Sequence, residues 1–343
     1  MADLRIAHIS KRGCIRVAKE SVALKAKGCQ VQLMCECVPP GYNLWDSVIV
    51  YGTREQLATS VRESPADIFH VHNEPDWMIK VAKEAAGKRP VVFDCHDLDS
   101  LRLGNPPDQD EINAFASADG LVHVSHGQQA AAEAAHGNSK PTLLLYSLVN
   151  ECWRPIRVIE PCWRGVVYEG GLLSAPAEST FDTNGNEIIS YRSWEPAVKA
   201  FTSQGYMVHL YSASSPDGLE SSYSAVGAVV QGTLIYPLLM SAMRLYGFGL
   251  VGSPYLAPIM QVAMPNKLFE YLACGVVPVI CNASEAGRYV QDRGLGITLH
   301  SLQDLEKQLA EGPACRERIL AIRETLTMEK EIHRLIEFYR SLL

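Results

Sequence analysis

Apolar and polar positions alternate along this chain in two kinds of run. Residues 6–9 are a short apolar run, followed by a polar loop at 10–13, a helix-period pattern that stops at Gly28, and a second apolar run at 31–34. Short apolar runs bounded by loops read as strands, and longer runs with apolar positions three and four apart read as helices, so the chain opens with a βαβ unit. The rhythm continues with strands expected at 67–71, 91–93, 121–124 and 142–145 and a helix across 77–86. Residues 150–163 interrupt it with Pro155 and Pro161 among charges and aromatics, the composition of a linker. A fresh series then starts: strand 165–168 broken at Glu169-Gly170-Gly171, helix 195–203, strands 208–211, 228–230 and 248–251, helix 265–274 and strand 276–280. The tail, 315–343, reads as one long charged helix with Leu320, Ile332, Leu335, Ile336 and Tyr339 on its buried stripe.

Strands alternating with helices predict parallel sheets covered on both faces. The 343 residues exceed one ordinary core and suit two α/β domains of roughly 150 residues each. The expected architecture is two Rossmann-like, doubly wound parallel-sheet domains, 1–152 and 164–320, facing across a cleft. Residues 321–343 would form a helix packing back toward the first domain.

Composition narrows the function classes. A hydrophobic fraction of 47% and a charged fraction of 20% belong to a globular chain, not a disordered one. The net charge of −7 repels phosphate backbones and disfavours nucleic acid as a partner. Ten cysteines without a C-x-x-C pair, behind an N-terminus that lacks an apolar signal core, read as reduced thiols of a cytoplasmic protein. The most apolar stretch, 226–252, is broken by Gln231, Pro237 and Arg244, whereas a spanning helix needs about 20 apolar residues in a row.

In open parallel sheets ligands bind beyond the carboxyl ends of the strands, so polar and glycine residues just after strands are the ones to inspect. In the segment 264–280, Pro265 suits the first helical position and Gly275 the residue past the end. Backbone N–H groups around Asn266 would favour a diphosphate, and Lys267 would add a full positive charge. Glu270 shares a helix face with Lys267 and is suited to accept hydrogen bonds from two ribose hydroxyls. A bare K-x-x-E is more often a surface ion pair, so the flanking pattern decides. Gly13, Gly170 and Gly171 follow strands, where a missing Cβ admits either a ligand or a tight turn. His96 offers a donor or acceptor to a sugar hydroxyl, or pairs with Asp94 or Asp97. His70 and His72 alternate on one strand and face one side, as a metal-chelating pair would. Enzymes of that type need further ligands on an eightfold barrel, which this pattern lacks, so no metal is expected. One of the two histidines is expected to be buried and hydrogen-bonded, the other near the interdomain cleft. Arg192 is either a solvated charge or a diphosphate partner. No G-x-G-x-x-G is present, so no dinucleotide fingerprint is expected.

The pattern P-x-K-x-F-E-Y-x-x-x-G-x-x-P-V-I over 265–280 resembles the donor-binding segment of GT-B glycosyltransferases, especially retaining family 4 (glycosyl transferases group 1). Asp67-Ile68-Phe69-His70-Val71-His72, Val91-Val92-Phe93-Asp94-Cys95-His96-Asp97 and Ala118-Asp119-Gly120-Leu121-Val122-His123-Val124-Ser125 resemble further segments of that family in the same order. The resemblance implies a hexosyltransferase that moves a sugar from a nucleoside-diphosphate sugar with retention, without an obligatory cofactor. It implies that His96 contacts the donor sugar. It also implies that Gly13, Gly170, Gly171, Arg192, Pro265, Asn266, Lys267 and Glu270 form the donor site, with His96, Lys267 and Glu270 in catalytic roles. The acceptor is open: a glycan, lipid-linked glycan, protein or small molecule, with loops at 42–45 and 101–107 as its lining and peripheral membrane contact if it is lipid-linked. Val262 stands where many members carry a first glutamate, eight residues before Glu270. That departure keeps a nucleotide-sugar epimerase or an inactive sugar-nucleotide-binding protein as alternatives.

Overall fold

The computed structural model describes residues 4–38, 44–73, 75–137, 139–173, 180–181, 187–188, 192–212 and 218–343. Tyr42 and Asn43, in the loop 42–45 considered above, lie outside the described residues. The chain forms two compact units. The first is Met1–Asn150 with Thr327–Leu343, and the second is Glu151–Leu326.

Seven strands build the first unit: β1 (Arg5–Arg12), β2 (Gln30–Cys37), β3 (Ser47–Val50), β4 (Ile68–His72), β5 (Val91–Cys95), β6 (Gly120–His123) and β7 (Thr142–Leu144). They form one parallel sheet in the order β3-β2-β1-β4-β5-β6-β7. The order reverses beside β1, the switch point at which doubly wound sheets bind ligands. Ile9, Phe69, Val71 and Phe93 are fully buried in its core, which is why these strands read as near-continuous apolar runs. β3 escapes the pattern because Ser47, Val48 and Val50 are exposed at the sheet edge. The expected acceptor-side aromatic Trp45 is instead buried, its indole N–H donating to Ser21 Oγ at 2.9 Å.

The tail is two helices, not one. Gly312–Ile322 belongs to the second unit and carries Leu320, whereas Met328–Leu342 belongs to the first. Between them the buried Thr327 makes a parallel bridge with Val149, which takes the backbone out of helical geometry. Met328–Leu342 buries Ile332, Leu335, Ile336 and Tyr339 and packs on the helix Ile15–Ala26.

In the second unit β8 (Cys162–Gly170) is followed by a short antiparallel pair, β9 (Thr180–Phe181) and β10 (Glu187–Ile188). Then come β11 (Met207–Ser212), β12 (Val229–Gln231), β13 (Tyr246–Gly252), β14 (Val277–Cys281) and β15 (Ile297–Thr298). The main sheet runs β12-β11-β8-β13-β14-β15 with every pairing parallel. β8 continues through Glu169 and Gly170, where a break was expected, because both residues still pair with Tyr211 and Ser212 of β11. Among the described residues no helix is long and apolar enough to cross a membrane, and none of the ten cysteines is in a disulfide.

The helix Asn266–Cys274 sits against β13 at unusually close range. A Cβ added to Gly249 would lie 2.5 Å from the Tyr271 ring, so only a glycine admits that ring. Tyr271 is fully buried, and its hydroxyl accepts from the Glu169 N–H at 3.2 Å and reaches the Val167 carbonyl at 3.4 Å. The ring therefore fixes the helix to the end of β8. Overpacking of this kind costs about 1–3 kcal/mol. Gly249→Ala is expected to lower the melting temperature by several degrees, whereas Gly232→Ala, where an added Cβ meets nothing within 4 Å, should leave it unchanged. Equal melting curves for the two variants would refute this account of the seating.

Candidate functional site

The loop after β8 and the start of the helix Asn266–Cys274 meet in the second unit. Pro265 lies one residue before the helix, not at its first position. Its ψ of 148° is extended and its carbonyl accepts from the Leu268 N–H at 3.1 Å. The N–H groups of Asn266 and Lys267 belong to the first turn, which has no intrahelical acceptors for them. Lys267 Nζ lies 3.7 Å from the centroid of the Tyr168 ring, a cation–π contact. The Tyr168 hydroxyl donates to the Gly171 carbonyl at 3.1 Å, so one side chain carries the ammonium and pins the glycine loop. Gly170 has φ +128°, and a Cβ there would lie 2.9 Å from Lys267 Nζ. A side chain at 170 would strain the backbone and displace the cation. Arg192 stands beside Gly171, its Nη1 3.7 Å from where a Cβ would be, and its carbonyl accepts from the Leu173 N–H. Gly170, Gly171, Arg192, Pro265, Asn266 and Lys267 are thus gathered at the carboxyl edge of the sheet, beside the strand where its order reverses.

Glu270 departs from the picture of a freely accessible carboxylate. It is 2% exposed, and Oε1 accepts from the Tyr236 hydroxyl at 2.9 Å. Burial and the Glu270 charge push Tyr236 well above the usual phenol range, so it remains a donor. Tyr168 and Tyr236 were absent from the sequence-derived set. Tyr168 ends an apolar run and looks like core, and Tyr236 comes from a helix more than thirty residues away in sequence.

Gly13 and His96 belong to the first unit. Gly13 is half-buried in the loop after β1, the strand beside the switch point. His96 follows β5, and its side chain is 20% exposed. The His96 N–H donates to Asn73 Oδ1 at 2.7 Å, and Nε2 lies 3.1 Å from His72 Nδ1 and 3.3 Å from Asp94 Oδ2.

Behind His96 is a fully buried polar network. His70 and His72 are both 0% exposed, so burial applies to both members of the pair. Their rings stack at 4.4 Å. His8 Nδ1 lies 2.8 Å from His72 Nε2, and His70 Nδ1 contacts the Tyr339 hydroxyl. Arg16 donates twice to Asp94, at 2.7 and 3.1 Å, and once to the Leu145 carbonyl. Burial opposes the Asp94 charge, but Arg16 and the neighbouring histidines outweigh it and hold that carboxyl well below its usual range. Burial, aided by the charge of Asp94 and opposed by Arg16, pushes Glu20 well above the usual range. His8 and His72 are held well below the usual imidazole range, chiefly by burial. The signal for this network was faint. His8 pairs with His70 in strand register, and Arg16 and Glu20 are four apart on one helix, but only the sheet order brings them together.

Comparison with known proteins reports on both units. Residues 195–316 match the family model "Glucosyltransferase 3-like, C-terminal domain", a span that contains Pro265, Asn266, Lys267 and Glu270. A search by sequence among curated proteins finds no match. The fold is similar to that of Anabaena HepE, solved with UDP-glucose, at TM-score 0.72 and 14% identity over 99% of this chain and 100% of that one. It is also similar to sucrose-phosphate synthase from Thermosynechococcus elongatus, at TM-score 0.66 and 15% identity over 99% of each chain. A third similar structure is WaaG, a glycosyltransferase involved in lipopolysaccharide biosynthesis, at TM-score 0.65 and 12% identity over 96% of this chain and 98% of that one. The fold is that of GT-B glycosyltransferase structures, and residues 195–316 of the second unit match the glucosyltransferase 3-like C-terminal domain.

His123, buried on β6, yields a pH prediction. Burial lowers its pKa to about 4, whereas an unfolded histidine titrates near 6.5. The folded-state pKa is depressed, so the neutral ring's stabilisation is complete above about pH 6.5 and is lost as pH falls toward 4. His123→Gln should therefore reduce the slope of unfolding free energy against pH between 6 and 4.5 by about one proton, or about 1.4 kcal/mol per pH unit. Denaturant melts at several pH values measure this, and an unchanged slope would show that His123 does not titrate differently on unfolding.

Proposed function

We propose that this chain transfers a hexose from a UDP-sugar, UDP-glucose by preference, to a hydroxyl of an acceptor, with retention of configuration. The observation that carries the reading is Lys267, held on Tyr168 against Gly170 at a helix start, with Arg192 beside Gly171. A cation, a second cation, helix N–H groups and a Cβ-free loop are what a pyrophosphate asks for. HepE has been solved with UDP and with UDP-glucose, which supports uridine as the base.

In this reading negative charge grows on the β-phosphate as the glycosidic bond breaks. Lys267, Arg192 and the N–H groups of Asn266 and Lys267 stabilise that charge in place, without reorganisation. Glu270, oriented by Tyr236, is the acceptor for ribose hydroxyls in this reading. His96, held through its backbone by Asn73 and through Nε2 by His72, offers Nδ1 to a sugar hydroxyl. Gly13 lets the loop after β1 approach the substrate. Retention follows the resemblance of the 265–280 segment to family 4. It implies attack on the face the leaving phosphate vacates, with that phosphate taking the acceptor proton. The acceptor is a glycan, lipid-linked glycan, protein or small molecule. Ten cysteines without a disulfide accord with a reducing compartment, and the cytoplasm is the proposed location. Val262 favours a second reading, a sugar-nucleotide binder without transfer or an epimerase, because the position lacks a carboxylate for a sugar hydroxyl.

Two measurements test this. In a thermal-shift panel of UDP, GDP, ADP and CMP, only UDP and UDP-sugars should raise the melting temperature, since a ligand bound to the folded form alone stabilises it. A shift by another base, or by none, contradicts the donor. With UDP-glucose, Lys267→Ala should lower kcat/KM for sugar release or transfer by about 100-fold or more, the usual cost of removing a group that meets developing charge. Glu270→Ala should instead weaken UDP binding. Wild-type rates in Lys267→Ala would remove the ammonium from the mechanism, and NMR of the product anomer reads retention directly.

A further inference from the structure

We propose that His8, Glu20, His70 and His72 bind one divalent transition-metal ion, zinc by the character of its ligands, in the interior of the first unit. This goes beyond sugar transfer and involves no residue of the Lys267 cluster.

The four side chains come from β1, β4 and the helix Ile15–Ala26, and each offers a ligand atom within 4.8 Å of all the others. His8 Nδ1 and His72 Nε2 are 2.8 Å apart. Glu20 Oε2 is 3.8 Å from His70 Nδ1 and 3.9 Å from His72 Nε2. Tetrahedral zinc with bonds of about 2.1 Å sets its donors roughly 3.4 Å apart, inside that spread. Three imidazoles and one carboxylate are borderline ligands that suit zinc and its neighbours better than magnesium or calcium.

Two further observations point to a ligand. Glu20 is fully buried beside Arg16 and Asp94, and its Oε2 faces the rings of His70 and His72. Oε1 lies 3.2 Å from Arg16 Nε without hydrogen-bonding geometry. Arg16 offsets only part of the desolvation of that carboxyl, and a cation among the ligands would offset more of it. The nitrogens of His70 and His72 that point away from Glu20 lie 3.3 and 3.2 Å from Asp94 Oδ2. A carboxylate behind metal-bound histidines is the usual outer partner that sets their tautomer, and here Arg16 holds that carboxylate with two bonds. His70 Nδ1 now faces the Tyr339 hydroxyl, and binding exchanges that hydrogen bond for a metal bond. The ion would tie β1, β4 and their helix together and, through His72, steady His96.

The test uses the full chain, analysed for metal as purified and then refolded from urea with and without ZnCl2 or CoCl2. The expected result is one ion per chain and a melting temperature higher by about 5 °C with metal. The cobalt form should show visible ligand-field bands without thiolate charge transfer, since no cysteine is among the ligands. Glu20→Gln and His8→Gln should weaken zinc binding by about 100-fold or more while the UDP-induced shift persists as a sign of folding. Cys37→Ser, at an exposed thiol, should change nothing. Absence of bound metal together with no zinc-dependent shift overturns the proposal. So does a thiolate band, or loss of binding in Cys37→Ser. If the histidine variant fails to fold, the wild-type cobalt spectrum decides alone.

Discussion

The seating of Tyr271 on Gly249 is the constraint on which the second unit's chemistry depends. A helix normally stands off a sheet by the thickness of its side chains. Here the missing Cβ lets a whole aromatic ring into the gap, and its hydroxyl reaches the end of β8. That anchor sets where the helix begins, and so where Lys267 emerges. The Lys267 ammonium arrives over Tyr168 and against Gly170 because four consecutive constraints agree: strand β8, glycine at 170, the ring at 271 and the helix start after Pro265. Cation–π contact holds the charge without neutralising it, unlike a carboxylate partner, so its field stays available to an anion.

The first unit solves a different problem. Its sheet centre contains a guanidinium, two carboxyls and three fully buried histidines where Val and Ile would be simpler. Arg16 and Asp94 match as a two-bond pair, and the histidines arrange themselves around that carboxylate. Such a core is costly unless every polar atom finds a partner. Glu20 has Arg16 at 3.2 Å, and burial still pushes its carboxyl well above the usual range. His96, whose side chain is 20% exposed, takes its orientation from this interior through His72 and Asp94.

Much of the fold was legible in the sequence. Buried parallel strands must be apolar on both faces, and short apolar runs at 6–9, 67–71, 91–93 and 165–168 announced β1, β4, β5 and β8. The edge strand β3 and the short β15 carried weaker signals, because an edge needs less burial and a two-residue strand has no period. The tail misled for a physical reason. Its helical pattern is continuous enough in composition, but the bridge between Thr327 and Val149 is a long-range contact that local periodicity cannot contain.

What the sequence by itself determined is the alternation that makes two parallel sheets and the helix that follows Pro265 with Lys267 and Glu270 one turn apart, since both rest on local spacing and residue type. Tertiary structure alone decided that Lys267 lies over Tyr168, that Glu270 is buried under Tyr236, and that His8, Glu20, His70, His72 and Asp94 share one point. These meetings join residues tens of positions apart through strand order. Strand order is set by how the whole sheet packs its two faces, a property no window of sequence contains.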